Sequence, residues 1–305
     1  FIPNSGGGAL SELDMKIVGE MADILFADRQ ARHGVAPPWG NGKNGKEYRA
    51  GMGRKPIGGI FSVGVEEPYR WKDSVQNGDE IRLWAVDGIA NGLRPWFTKF
   101  NGKPYDTRWM KPVELLYNWH HRNERYLRNE ENLARVAVVF SQQTARFYGG
   151  DKASARVEDH TNGIYQALVE SRIPFEMVHD HKLDAADVGR FKTLILPNIA
   201  CLSEKQCGQL SDFVKKGGSI VATHETSLYD ELGVRRENFG LSGIFRATFD
   251  GKVDVRMQNS YVHLEHSHPL LRGLEGTTRI INGVSRVHTT STAGGTPPLT
   301  VVPSY

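Results

Sequence analysis

Short apolar runs alternate with helix-patterned segments over the first 230 or so residues, and this alternation limits the fold more than any other feature of the chain. A strand, a crossover helix and a second strand make a parallel sheet, because the helix carries the chain back to the same end of the sheet. The first series reads as strands at 1–4, 24–28, 57–63 and 93–98. Ser11-Glu12-Leu13-Asp14 has the spacing of a capping box with Ser11 as N-cap, and Leu13, Ile17, Val18 and Met21 follow at helical spacing. Further helices are expected over 79–91, where Ile81, Trp84, Ala85 and Ile89 share a face, and over 112–127. The stretch 33–56, rich in Gly, Lys and Asn, reads as a long loop.

A charged segment, 122–135, leads to a second series. Val136-Ala137-Val138-Val139-Phe140 is the uninterrupted run expected of a strand buried on both faces. A helix over 158–171 and strands at 175–178, 193–197 and 219–223 follow. Ser203-Glu204-Lys205-Gln206 is a second capping box, opening a helix that Gly217-Gly218 closes. This pattern predicts a doubly wound α/β domain, with shorter mixed strands and loops beyond about residue 245.

Composition closes off several function classes. At 305 residues the chain is long enough for two domains. A net charge of +3, evenly spread, gives no basic footprint for nucleic acid or a membrane surface. No apolar run approaches the ~18 residues of a membrane span. Two cysteines, Cys201 and Cys207, exclude a disulfide scaffold and a multi-cysteine zinc module, and they read as a reduced pair. The chain starts at Phe1 inside an apolar stretch and ends in a strand-like run. It is therefore expected to be a piece of a longer protein, with any targeting signal, and so its localisation, set upstream.

The segment 193–230, TLILPNIACLSEKQCGQLSDFVKKGGSIVATHETSLYD, resembles the trimerisation domain of glycoside hydrolase family 42, the β-galactosidase family. The likeness lies in a strand ending in Pro, a helix opened near Leu-Ser, a Phe-Val-x-x-Gly-Gly turn and a strand leading into an acidic loop. Residues 136–140 and 163–178 are similar to that domain's first strand, first helix and second strand. Upstream, EIRLWAVDGIANGLRPWF at 80–97 is similar to the last helix and strand of the family's catalytic barrel. The resemblance spans roughly residues 57–240 and implies a diverged relative, because Trp71 follows the acidic pair at shorter spacing than in β-galactosidases.

The resemblance implies the C-terminal half of a (β/α)8 barrel over 1–132, followed over 133–305 by a doubly wound, flavodoxin-like domain of the class I glutamine amidotransferase type that assembles a homotrimer. It implies a retaining glycosidase acting on a carbohydrate, with one carboxyl group as nucleophile and another, upstream of Phe1, as acid/base. Such a piece by itself lacks the proton donor and is expected to be inactive. Glu66, with Glu67 second, stands where the family carries its nucleophile, just past the third strand, and barrel sites are built at strand C-terminal ends. An exposed acidic turn paired with Arg70 or Lys72 is the structural alternative. Asp28 and Arg29 end the second strand, Trp39 and Tyr48 lie in the 33–56 stretch, Trp71 follows the acidic pair, and Trp96 and Lys99 end the fourth strand. All are candidate sugar contacts. Phe61, Val63 and Phe97 are candidates for the barrel's interior layer.

Two other readings remain at this point. A protein of the same architecture could bind carbohydrate or oligomerise without chemistry. An amidotransferase-like enzyme would need a reactive cysteine, but Cys201 lacks flanking glycines and Cys207 lies mid-helix. His179-Asp180-His181 ends a strand with both histidines on one face, yet lacks a third ligand at defined spacing. Like them, His263, His266 and His268 read as surface residues, so no metal and no cofactor is assigned.

Overall fold

The structure is a computed structural model describing residues 3–5, 7–32, 36–62, 74–99, 105–128, 130–265, 268–294 and 297–302. Its first sheet has four parallel strands, β1 (Asn4–Ser5), β2 (Leu25–Ala27), β3 (Ile57–Ser62) and β4 (Arg94–Thr98), in the spatial order β1-β2-β3-β4. The helices that follow them are α1 (Met15–Met21), α2 (Gly40–Met52), α3 (Gly78–Ala90) and α4 (Met110–Asn123). Because parallel crossovers share one hand, a strand order without reversal puts all the helices on one face of the sheet. The packing agrees. Leu25, Ala27, Ile57 and Leu93 bury against Met15, Tyr48 and Met52, while Phe61 buries against Ile81, Trp84, Val113 and Leu116. This is the wall of a (β/α) barrel, as expected.

Two local expectations are corrected. Helix α1 is capped by Asp14, whose side chain accepts from the Lys16 and Ile17 amides, and not by Ser11. The chain is held in a turn through Ser11 and Leu13, because the Gln142 amide donates to both of their carbonyls and delays the helix. The stretch 33–56 is not one long loop, since α2 occupies most of it and is buried over nearly its whole length. Its glycines serve close helix packing. A Cβ on Gly42 would lie 2.6 Å from the Asp87 carboxylate, and one on Gly45 2.7 Å from the Asn91 carbonyl oxygen.

The second sheet is parallel, with β5 (Val136–Phe140), β6 (Phe175–His179), β7 (Thr193–Leu196) and β8 (Ser219–Ala222) in the order β6-β5-β7-β8. The reversal at β5 sends crossovers to both faces, and β5 shows the consequence. Ala137 and Val139 enter one core with Leu210 and Phe213, whereas Val138 and Phe140 enter another with Tyr165 and Leu168. The short α5 (Gln142–Thr144) runs through tight turns into α6 (Asp159–Glu170); α7 (Ala185–Val188) and α8 (Glu204–Lys215) follow, and Ser203 and Gln206 form the expected capping box on α8. Beyond α9 (Ser242–Phe245), β9 (Ala247–Asp254) pairs antiparallel with β12 (Arg286–Ser291). There β10 (Tyr261–Leu264) pairs with β11 (Arg279–Ile281) and β13 (Leu299–Val302). Among the described residues no helix is long and apolar enough to cross a membrane.

Helix α2 joins the two sheets. The Trp39 ring lies 4.5 Å from Tyr165 of α6, and Lys46 lies over the Phe175 ring of β6. Lys43 donates to Glu47 at 2.6 Å and to Glu158, at the start of the second half's long helix, at 2.5 Å.

Candidate functional site

Strand residues that do not face the helices face the opposite side of the first sheet. Alternation puts Phe26, Gly58, Ile60, Ser62, Arg94, Trp96 and Thr98 there, so the layer expected of Phe61 and Phe97 is filled by their neighbours instead. Val63 lies outside the described residues. Phe26 and Trp96 stand on strands separated by β3, yet their ring centroids are 3.9 Å apart. Gly58 makes this possible, since a Cβ there would lie 2.3 Å from the Phe26 ring. With Trp96 40% exposed, the pair forms an aromatic surface on the helix-free face.

Asp28 continues the alternation of β2 on that same face. Its carboxylate accepts from the Gln30 side chain at 2.9 Å, and the Gln30 carbonyl accepts from the Ser62 amide at 2.8 Å, prolonging the β2–β3 ladder. Arg29 is exposed, and its carbonyl accepts from the Trp84 indole at 3.0 Å. A two-pronged Arg32–Glu80 ion pair fixes this loop to the first turn of α3. Lys99 follows β4 directly. Asp28 and Trp96 thus share the open face, and Lys99 stands just past the carboxyl end of β4, the end at which barrel enzymes build their sites.

Two candidates do not belong there. Tyr48 is fully buried on α2, its ring against Gly7, and Trp39 sits at the start of α2 with its indole donating to Gln166 of α6. A helix replaced the expected loop, so both aromatic rings serve packing on the helix side. Glu66, Glu67 and Trp71 lie outside the described residues.

The second half holds polar groups that the sequence did not single out. Glu225 is buried and accepts from the hydroxyls of Tyr148 at 2.5 Å and Tyr229 at 3.1 Å. Asn198, His224 and Ser227 around it take left-handed φ angles of 50°, 53° and 66°. Clustered strain in non-glycine residues marks a site that the surroundings over-determine. The acidic step in Thr223-His224-Glu225-Thr226, directly after a strand, was its one legible signal. A cavity of about 730 Å³ opens beside it, walled by His224, Thr226 and Ser285. Cysteine chemistry finds no support in this half. Burial pushes the Cys201 thiol up to about 12 and the Cys207 thiol up to about 11, so neither forms a thiolate near neutrality.

His179, Asp180 and His181 are not surface residues. The first two are buried, the third is half-buried, and all three border a cavity of about 640 Å³ at the carboxyl ends of β5 and β6.

Residues 134–291, just over half of the chain, match the sequence family described as "Beta-galactosidase trimerisation domain". No curated protein matches the chain in sequence. Among solved structures, the β-galactosidase from Bacillus circulans sp. alkalophilus superposes with a TM-score of 0.83 at 16% identity, over 100% of this chain and 47% of that one. The cold-adapted β-galactosidase from Rahnella sp. R3 gives 0.72 at 16% identity, over 94% of this chain and 45% of that one. An α-L-fucosidase isoenzyme from Paenibacillus thiaminolyticus gives 0.61 at 18% identity, over 90% of this chain and 38% of that one. These likenesses establish the fold, and the chain spans less than half the length of each of the three structures.

Proposed function

The chain belongs to the β-galactosidase trimerisation-domain family, and from that premise we propose that it is the barrel-wall and assembly part of a retaining glycoside hydrolase. The division falls near 132/133, with the barrel wall before it and the assembly domain after it. The observation that carries the reading is the helix-free face of the first sheet. It presents the Phe26–Trp96 aromatic pair with Asp28 beyond it, and such an aromatic sheet surface needs a partner layer. Four further strands would close the barrel over that face and bring an acid/base carboxyl to about 5–5.5 Å from the nucleophile, the separation of a retaining pair.

Glu66, which follows β3 in the sequence, is the nucleophile in this reading, with Glu67 second. Asp28, Arg29, Trp71, Trp96 and Lys99 line the sugar site. The solved structures of similar fold include a β-galactosidase and an α-L-fucosidase, which supports a glycoside as the substrate class, its sugar to be identified with a panel.

The test uses the polypeptide extended to a complete barrel and a panel of aryl galactosides and fucosides. Glu66→Gln is expected to lower turnover by several orders of magnitude with sugar binding retained, and azide should rescue Glu66→Ala by forming a glycosyl azide of inverted configuration. Rescue at Glu67 instead moves the assignment by one residue. A protein that binds sugars but turns over no aryl glycoside overturns the hydrolase reading in favour of a binding protein. The assembly part of the proposal is checked by sedimentation: a trimer is expected, each interface joining two different patches, and a monomer at micromolar concentration refutes it.

A further inference from the structure

The His179-Asp180-His181 turn gathers three potential ligand atoms in one place. The starting point is the Gln142 side chain, whose Nε2 donates to the carbonyls of Ser11 and Leu13. Its Oε1 is therefore the acceptor, and it already takes the Met15 amide at 3.0 Å. The His179 Nε2, 2.9 Å from that oxygen, must then carry a proton and donate. In a neutral ring this leaves His179 Nδ1 unprotonated, with only a long hydrogen bond from the His181 amide at 3.4 Å on it. Facing it are Asp180 Oδ1 at 2.8 Å and His181 Nδ1 at 2.6 Å.

The Asp180 carboxylate is likewise oriented. Its Oδ2 accepts from the Ser141 hydroxyl at 2.5 Å, which leaves Oδ1 turned towards the two rings.

We propose that His179 Nδ1, Asp180 Oδ1 and His181 Nδ1 form a binding site for a divalent transition-metal ion of the zinc class. The ligand atoms of the three residues lie within 4.8 Å of one another. Two imidazoles and one carboxylate are a usual donor set for such an ion. The hydrogen bond from His179 Nε2 to Gln142 is the outer-shell support that fixes ring orientation in metal sites. Tetrahedral ligation at ~2.05 Å would set the two nitrogens about 3.3 Å apart, so the rings open by less than an ångström. The half-buried edge of His181 borders the 640 Å³ cavity, which gives the ion an approach from solvent and leaves its fourth position facing that space. Gln142 also holds the Ser11–Met15 backbone through the bonds given above, so the site ties the barrel wall to the second sheet. It stands independently of the glycosidase reading.

The competing arrangement is a single extra proton, an imidazolium at His179 shared with Asp180. The full chain, stripped with EDTA, is titrated with Co²⁺ as probe and then challenged with Zn²⁺. One equivalent of Co²⁺ per chain is expected, with visible absorption that zinc abolishes and a thermal midpoint raised by either ion. His181→Ala is expected to weaken binding at least 100-fold, and His263→Ala, on the half-buried strand β10 of another sheet, to leave it unchanged. If His181→Ala does not fold, by far-ultraviolet circular dichroism, His181→Gln replaces it. Absence of stoichiometric binding, binding that survives loss of His181, or ¹⁵N spectra showing His179 still doubly protonated in excess zinc would each overturn the proposal.

Discussion

Replacing Lys43 by methionine should destabilise the protein by about 3–4 kcal/mol at pH 7, and the cost should shrink as the pH falls. Lys43 and Glu47 have side chains only 2% and 1% exposed, and Glu158, across the junction, is 13% exposed. Burial alone would lower the Lys43 ammonium, but Glu47 and Glu158 more than offset it and hold it above its ordinary value. Burial raises Glu47, with Lys43 opposing and Glu158 adding to the rise. Without the lysine, the fully buried Glu47 must take up a proton. Protonating a carboxyl of ordinary pKa ~4.3 at pH 7 costs about 3.7 kcal/mol, at about 1.4 kcal/mol per unit. This falls within the roughly 3–5 kcal/mol seen when one partner of a buried pair is removed.

The sign follows from linkage. A carboxyl whose folded pKa lies above its unfolded value is favourable below the unfolded value, and that contribution is lost as the pH rises through the folded value. The Lys43→Met penalty should therefore fall to about 1 kcal/mol near pH 5. Methionine approximates the lysine stem, so little of the effect is a cavity. Urea unfolding followed by tryptophan emission measures it, with Trp39 reporting on the junction. Adding Glu47→Gln should recover most of the loss, because the buried charge is gone. A penalty below 1 kcal/mol at pH 7, or one that is flat between pH 5 and pH 8, would refute the argument.

Three further expectations follow from single contacts. Burial raises Asp87 to about 6, against its bond from the Gly42 amide and the Lys46 charge. The stability of the wild type relative to Asp87→Asn should thus drop by up to about 3 kcal/mol as the pH rises from 4 to 7, and a pH-independent difference would count against it. Cys201 and Cys207, pushed up by burial to about 12 and about 11, should resist a disulfide reagent at pH 8 in the native protein and both react in denaturant; rapid native labelling contradicts the burial. Gly58→Ala should cost about 1–3 kcal/mol by driving a methyl into Phe26, with Phe26→Ala restoring stability in that background; equal stability of wild type and Gly58→Ala would show that the Phe26–Trp96 contact is not tight.

The sequence by itself determined the strands of the two parallel sheets, most of the helices except α2, and the family. Apolar runs at 57–63, 136–140 and 193–197 are set by local alternation or continuity, and the capping box at Ser203 by a four-residue pattern, so these appear where they were expected. The consecutive order of the first sheet followed from the family resemblance, whereas the order β6-β5-β7-β8 of the second came from the structure. What a side chain does once elements meet was decided only by the tertiary structure. Glycine at 42 and 45 is written the same way in a loop and in a close helix contact, and only the approach of Asp87 and Asn91 reveals the second. Tyr48 and Trp39 were therefore assigned to a sugar face and stand on the packing side. Which parity of β3 faces the helices cannot be read from an apolar run with glycines at 58 and 59, so Phe61 was placed inward and lies outward. The convergence of His179, Asp180 and His181 depends on how Gln142, brought in by a different strand, orients one nitrogen. Local patterns fix periodicity, whereas the direction of a lone pair depends on partners far away in the chain.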